Sequence, residues 1–459
     1  MKLLSAIFIL LCLCTSASRA QPLTLSGYET QGALAIMVDN SDTIYNYNAK
    51  HRLTPASITK LLTTAVVLQK FGPRYRIRTK IGVLHTERML VVHGVFDPTT
   101  DSRYFNRNQL SSEADTIANA LKRIGMTDNV CLATDASLEP FAPYCAKRLW
   151  EDMGNYYGAV PTCLMADDNS TTVYFHSPKE TEVLCDVDSI VPEPVGYADG
   201  ALHSFVKTYK GKADLCNIFL AGNEWYATGL IPANKGSFAV RSTMPNATAH
   251  YMQKLRTLLE QRGISFGKDT LLWTRPDKRD STIHTIRSPT LTDIVATTNQ
   301  QSVNLFADAL LMHSVSRWSH ATWNGNVEAL KSALKTDFDI TPTLYDGSGL
   351  SPANAISPAE MTTLLVKMSR SDFATYFYRS LGVAGKTGTL RLLGRGSPIE
   401  GKVFAKSGTL SGVVCYAGYI DCQSGRRAAF CIMINHLSNT NAEARNQITQ
   451  WLTTIYTNN

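Results

Sequence analysis

Four Ser-x-x-Lys quartets occur in this chain: Ser57/Lys60, Ser204/Lys207, Ser265/Lys268 and Ser332/Lys335. A serine acylates when a base takes its proton and backbone N–H donors stabilise the oxyanion that follows. Within a helical turn, a lysine three residues on shares the serine's face and can be that base. The quartet alone is common, so its surroundings must choose. Only Ser57 stands just inside an expected helix start, with Thr54 as N-cap, Pro55 in the first helical position and the apolar run KLLTTAVVL behind it. Such a terminus also offers free N–H groups and the positive end of a dipole. Ser332/Lys335 lies in an exposed-looking, lysine-rich helical stretch, and Ser204 and Ser265 lie in strand or loop texture.

Two further motifs sharpen the choice. Ser-x-Asn occurs once, at Ser302-Val303-Asn304, beside the helical run LFADALLMHSV. Lys-[Ser/Thr]-Gly occurs twice, at Lys386-Thr387-Gly388 and Lys406-Ser407-Gly408. The first copy sits in LGVAGKTGTLRLLGRGSP, a glycine-rich loop with little strand character, and the second opens a late hairpin. An oxyanion hole completed by a backbone N–H, here that of Thr409, needs an edge strand beside the serine, which selects Lys406. Ser407 supplies a hydroxyl at the middle of this motif.

Ser-x-x-Lys, Ser-x-Asn and Lys-[Ser/Thr]-Gly, in that order, form the signature of the penicillin-recognising serine enzymes. Beyond its first 20 residues the chain resembles the DacB-type D-alanyl-D-alanine carboxypeptidases/endopeptidases, peptidase family S13. The stretches that carry the likeness are LTPASITKLLTTAVVL, FDPTTDSRYF, WEDMGNYYGA, LEQRGISFG, SVNLFADALL, YDGSGLSPANAISPAEM and AKSGTLSGVVCYAGYI. That family carries a large insertion between its first two motifs, matching the 242-residue separation of Lys60 and Ser302. A class A β-lactamase places them far closer. A Gly-x-x-Gly-Thr-Leu loop precedes the third motif in the family, which makes Lys386 a decoy.

The resemblance implies an α/β fold: a penicillin-binding-protein/β-lactamase-like domain, antiparallel sheet flanked by helices, interrupted by a large mostly-β insertion. It implies Ser57 as the nucleophile on the penultimate D-alanine carbonyl, with Lys60 taking its proton. Ser302 would relay that proton to the leaving D-alanine, and Asn304 would hydrogen-bond the substrate amide. Lys406, with Ser407, Gly408 and Thr409, would attract the terminal carboxylate and help keep Lys60 neutral. The N–H groups of Ser57 and Thr409 would form the oxyanion hole. Asp152 matches a position that reaches from the insertion towards the diamino acid of the stem peptide; it reads equally well as a structural aspartate beside Tyr156 and Tyr157. The implied partners are peptidoglycan D-Ala-D-Ala peptides, with β-lactams as covalent inhibitors, and no metal or organic cofactor. The alternative on the same fold is a β-lactamase or esterase.

The elements that must position these residues are legible in outline. Residues 32–48 read as two strands around Asn40-Ser41-Asp42, and 76–96 as further strands. Helical periodicity returns at 249–262, 291–318, 325–337 and 442–456, and the late hairpin pairs 403–421 with 426–435. The stretch between is rich in short strands, turns and cysteines, so the domain division is 21–85 with 275–459 for the catalytic part and 86–274 for the insertion.

Of 459 residues, 44% are apolar and 18% charged, enough for a large core and two or three domains. Lys2, the apolar run Leu3 to Leu13 and Ser18-Arg19-Ala20 read as a cleaved export signal over residues 1–20. The run is too short to anchor the mature chain in a bilayer. Removing Lys2 and Arg19 leaves a formal charge of +5 from +7, spread without a basic cluster, which excludes a nucleic-acid binder. The ten histidines contain no H-E-x-x-H and the ten cysteines no C-x-x-C. In an oxidising compartment one or two disulfides are expected within 131–216.

Overall fold

The computed structural model describes residues 29–138, 145, 147–196, 202–221, 224–272, 280–315 and 322–459; the export signal lies outside them. A six-stranded antiparallel sheet forms the frame, in the order Gly382–Val383, Val403–Leu410, Val413–Asp421, Arg427–Asn435, Thr30–Met37, Thr43–Tyr47. The two ends of the chain meet there, because Thr30–Met37 pairs along its whole length with Arg427–Asn435. The central strands, VVCYAGYID and RAAFCIMIN, are apolar on both faces, as a sheet covered on both sides requires. Cys415, Ala417 and Tyr419 face the core that holds the helices Lys60–Phe71, Asn304–Val315 and Pro358–Ser369. The alternate residues Val414, Tyr416 and Ile420 face Ala444, Ile448 and Leu452 of the C-terminal helix Asn441–Asn458. The expected strand 403–421 is broken in two at Ser411-Gly412, where Gly412 takes a φ of +66°.

The intervening region builds three smaller sheets. A mixed five-stranded sheet runs Phe266–Leu272, Val130–Asp135, Met89–His93, Arg78–Leu84, Ser281–Arg287, with the helices Gln109–Arg123 and Ala247–Glu260 beside it. Two three-stranded sheets share a separate core around Phe175, Val206 and Trp225. Arg78–Leu84 and Ser281–Arg287 pair within the five-stranded sheet although both fall outside 86–274. No helix of the described residues is long and apolar enough to cross a membrane. The disulfides expected within 131–216 are not formed at Cys145, Cys185 or Cys216, which are buried thiols. Cys145 belongs to the main core and the other two to the small one.

The segment before the first motif differs from its expected form. Thr54 does not cap a helix: its N–H donates to Asn435 Oδ1 (2.7 Å) and its hydroxyl to the Pro352 carbonyl (3.1 Å). Pro55 instead precedes a 3-10 turn, Ala56–Thr59, and the α-helix begins at Lys60. Ala56 enters that turn with φ +47°, a left-handed conformation costing an alanine ~1–2 kcal/mol. The loop Asp346–Ser351 is pressed against it. Gly349 has φ +83°, and a Cβ there would lie 1.9 Å from the Ala56 carbonyl oxygen. Gly349→Ala should therefore lower the unfolding free energy by about 2 kcal/mol or more in urea titration. An unchanged midpoint and slope would show that this loop does not brace the turn.

Candidate active site

The 3-10 turn explains why Ser57 and Lys60 meet. With three residues per turn, side chains at i and i+3 eclipse one another. The Lys60 ammonium donates to Ser57 Oγ at 2.9 Å. It also donates to Asn304 Oδ1 (2.6 Å) and to the Ser348 carbonyl (2.7 Å). Lys60 is completely buried. Burial pushes its ammonium down to about 7, against the pull of Asp308 and Asp346 and with a further push from Arg148.

Asn304 and Ser302 arrive from a break in the helical segment expected at 291–318. That segment is two helices, Leu291–Gln300 and Asn304–Val315, separated at Ser302, whose φ is +58°. Ser302 accepts from Lys406 Nζ at 2.9 Å, and the same ammonium donates to the Ser407 carbonyl at 2.6 Å. Lys406 is also wholly buried, and burial together with the neighbouring Lys60 pushes it well below its ordinary value.

Strand pleating places the rest of the third motif. Lys406 and Gly408 oppose Ala417 and Cys415, on the face towards Ser57. A Cβ on Gly408 would lie 2.6 Å from the Pro55 carbonyl oxygen and 3.0 Å from the Ser57 amide nitrogen, so only glycine lets strand and turn approach this closely. Gly382–Val383 covers the strand at Phe404 and Ala405 only, which leaves Ser407 to Thr409 at an edge. Ser57, Ser302, Ser407 and Thr409 line one cleft of about 280 Å³, together with Thr389, Tyr416 and Arg445.

The other candidate positions fall elsewhere. Lys386 is exposed, with its amine over Gly401. Ser204 lies in the strand Leu202–Tyr209 with its hydroxyl on the Cys185 carbonyl. Ser332 and Lys335 belong to the helix Trp323–Phe338, and Lys268 to the strand Phe266–Leu272. Asp152 ends a 3-10 turn, Trp150–Asp152, is half-buried and interacts with the Tyr157 hydroxyl; burial raises its carboxyl. It is one residue removed from the site, because the Tyr157 carbonyl accepts from Asn304 Nδ2 at 2.8 Å.

Sequence reasoning missed two groups of residues. Thr389, three residues past Lys386, accepts a 2.7 Å hydrogen bond from Ser407 Oγ. Behind Lys60, the side chain of Arg148 is 1% exposed and reaches Asp308, Asp346 (3.2 Å) and Ser348 Oγ (3.0 Å). The signal available for that network was Asp308, one acid in the apolar run LFADALLM, four residues after Asn304. Asp346 also shapes its own loop, accepting from the N–H groups of Gly349 and Ser351.

A profile of the D-Ala-D-Ala carboxypeptidase 3 (S13) family matches residues 20–455. The chain belongs to this family. It is accordingly a peptide hydrolase of the D-Ala-D-Ala carboxypeptidase type. It is 23% identical over 436 residues to D-alanyl-D-alanine carboxypeptidase DacB of Haemophilus influenzae, covering 90% of this chain and 87% of that one. It is 25% identical over 435 residues to a D-alanyl-D-alanine carboxypeptidase of an Actinomadura species, covering 88% and 77%. The solved penicillin binding protein 4 (dacB) of H. influenzae superposes with a TM-score of 0.78 at 21% identity, over 94% and 96% of the two chains. The Bd0816 predatory endopeptidase of Bdellovibrio bacteriovorus gives a TM-score of 0.54 at 16% identity, over 93% and 92%. These likenesses confirm the expected penicillin-binding-protein fold.

The buried lysine has a measurable consequence for this S13 enzyme. Between about 7 and the ordinary 10.5, the unfolded chain holds a proton on Lys60 that the folded protein lacks, so stability rises with pH across that interval. Lys60→Met removes this contribution. The unfolding free energy of wild type relative to the variant should grow by ~1.4 kcal/mol per pH unit over the interval. Parallel urea midpoints at pH ~7 and ~9.5 would exclude a depressed Lys60.

Proposed function

We propose that Ser57 is acylated by the penultimate D-alanine of a peptidoglycan stem peptide, with Lys60 as its base. The 2.9 Å contact between Ser57 Oγ and a buried, near-neutral Lys60 amine carries this reading. Lys60 Nζ takes the hydroxyl proton as Ser57 Oγ bonds to the carbonyl carbon. The backbone N–H groups of Ser57 and Thr409 receive the oxyanion, which the close fit of Gly408 against the turn supports. As the C–N bond breaks, the proton that Lys60 took from Ser57 passes through Ser302 Oγ, oriented by Lys406, to the departing D-alanine amine, which leaves Lys60 neutral again. Asn304 fixes Lys60 and offers its amide to the substrate backbone. Water, deprotonated by the same lysine, attacks the ester and frees Ser57.

The same chemistry serves a D,D-cross-link, whose leaving amine belongs to a second stem. In this reading Asp152 and Tyr157 border the stem side of the cleft, and β-lactams acylate Ser57 because their strained amide mimics the D,D-bond. The division into a catalytic part of 21–85 with 275–459 and an insertion of 86–274 belongs to this reading. So does export past the cytoplasmic membrane, supported by the charged and apolar pattern of residues 1–20.

Incubation with benzylpenicillin should add one acyl mass to the protein, long-lived on wild type and absent from Ser57→Ala. Rapid turnover would favour a β-lactamase instead. The acylation rate should rise through about pH 7 to a plateau as Lys60 loses its proton. Lys406→Ala should lose ~100-fold or more in acylation while Lys386→Ala stays near wild type; the reverse result would reassign the third motif.

A further inference from the structure

The cleft does not stop at the third motif. It continues over the strand to the C-terminal helix Asn441–Asn458, where Asn441 and Arg445 join its wall. The pleat explains the continuity. Ser407 is opposite Tyr416 and Thr409 opposite Val414, and directly opposed residues share a face. Val414 and Tyr416 pack in one core with Ala444, the residue before Arg445, so the hydroxyls of Ser407 and Thr409 emerge on the helix side. Arg445 is half-exposed, and its positive charge acts on the Tyr416 hydroxyl. Its guanidinium has no hydrogen-bond or ion-pair partner among the described residues.

The other cations around Ser57 among the described residues are engaged. Lys60 Nζ has Ser57, Asn304 and Ser348; Lys406 Nζ has Ser302 and the Ser407 carbonyl; Arg148 has Asp308 and Asp346. An anionic substrate terminus entering the cleft meets one guanidinium with its donors unspent, flanked by two hydroxyls.

We propose that Arg445 fixes the terminal carboxylate of the substrate, with Ser407 and Thr409 completing its hydrogen-bond shell. Selectivity for a free C-terminus then resides on the C-terminal helix, not on the lysine of the third motif. A guanidinium presents a planar fork that pairs with both carboxylate oxygens and stays charged at any physiological pH. Lys406, buried and pushed well below its ordinary value, lacks that constancy. The assignment rests on Ser57 acylation as read above.

The test compares acylation by benzylpenicillin, a free carboxylate, with acylation by its methyl ester, followed as mass gain on the protein. In Arg445→Ala the ratio of second-order rate constants, acid over ester, should fall about ten- to a hundredfold. Arg445→Lys should recover part of it, and Arg445→Met, which keeps the apolar stem, should match alanine. For a peptide ending in free D-alanine, the loss should appear in KM more than in kcat. A ratio equal to wild type in both the alanine and the methionine variant overturns the proposal while leaving Ser57 acylation standing. No adduct on wild type from either compound overturns the Ser57 reading, and Arg445 falls with it.

Discussion

The site depends on one buried amine. Lys60 Nζ is held by Ser57 Oγ, Asn304 Oδ1 and the Ser348 carbonyl, three acceptors that lie up to 288 residues from it in sequence. A primary amine taken fully out of water is stable only where its donors are satisfied and its charge can leave. Both conditions are met here, and together they turn a lysine into a group that can accept a proton near neutrality. Arg148, Asp308 and Asp346 form a buried charge cluster behind it. The two carboxylates pull the Lys60 ammonium up and Arg148 pushes it down, so the set tempers the effect of burial.

Holding that amine in register requires strained backbone on two sides. Ala56 and Ser302 both lie in the left-handed region, at φ +47° and +58°, immediately before Ser57 and two residues before Asn304. Residues in such conformations persist where their surroundings over-determine them. Here the surroundings are the Asp346–Ser351 loop against the turn and the Lys406 ammonium on Ser302. The intervening region takes part as well. Arg148 enters from it behind Lys60, and the Tyr157 carbonyl holds the amide of Asn304.

The strand Val403–Leu410 divides its labour by pleat. Lys406 and Gly408 look towards the turn and the second motif, while Ser407 and Thr409 look towards the C-terminal helix. A period of two lets one short sequence serve two walls of a single cleft. Gly408 makes the arrangement possible, since any side chain would drive the strand off Pro55 and Ser57.

The sequence by itself determined the family and marked out the residues on which the proposed chemistry rests. Ser57, Lys60, Ser302, Asn304 and Lys406 were legible because motif order, a single Ser-x-Asn and strand texture are local properties, and the geometry joins all five. Strands and helices were legible for the same reason, since periodicities of two and 3.6 are written in neighbouring residues. The helix cap was not, because the Thr54 hydroxyl and N–H are claimed by Pro352 and Asn435, partners remote in sequence. Only the tertiary structure decided that Ser57 sits in a 3-10 turn, that Arg148 lies behind Lys60 and that Thr389 and Arg445 share the cleft. Such facts depend on which distant segments are brought together and how deeply each is buried, and no local spacing encodes either.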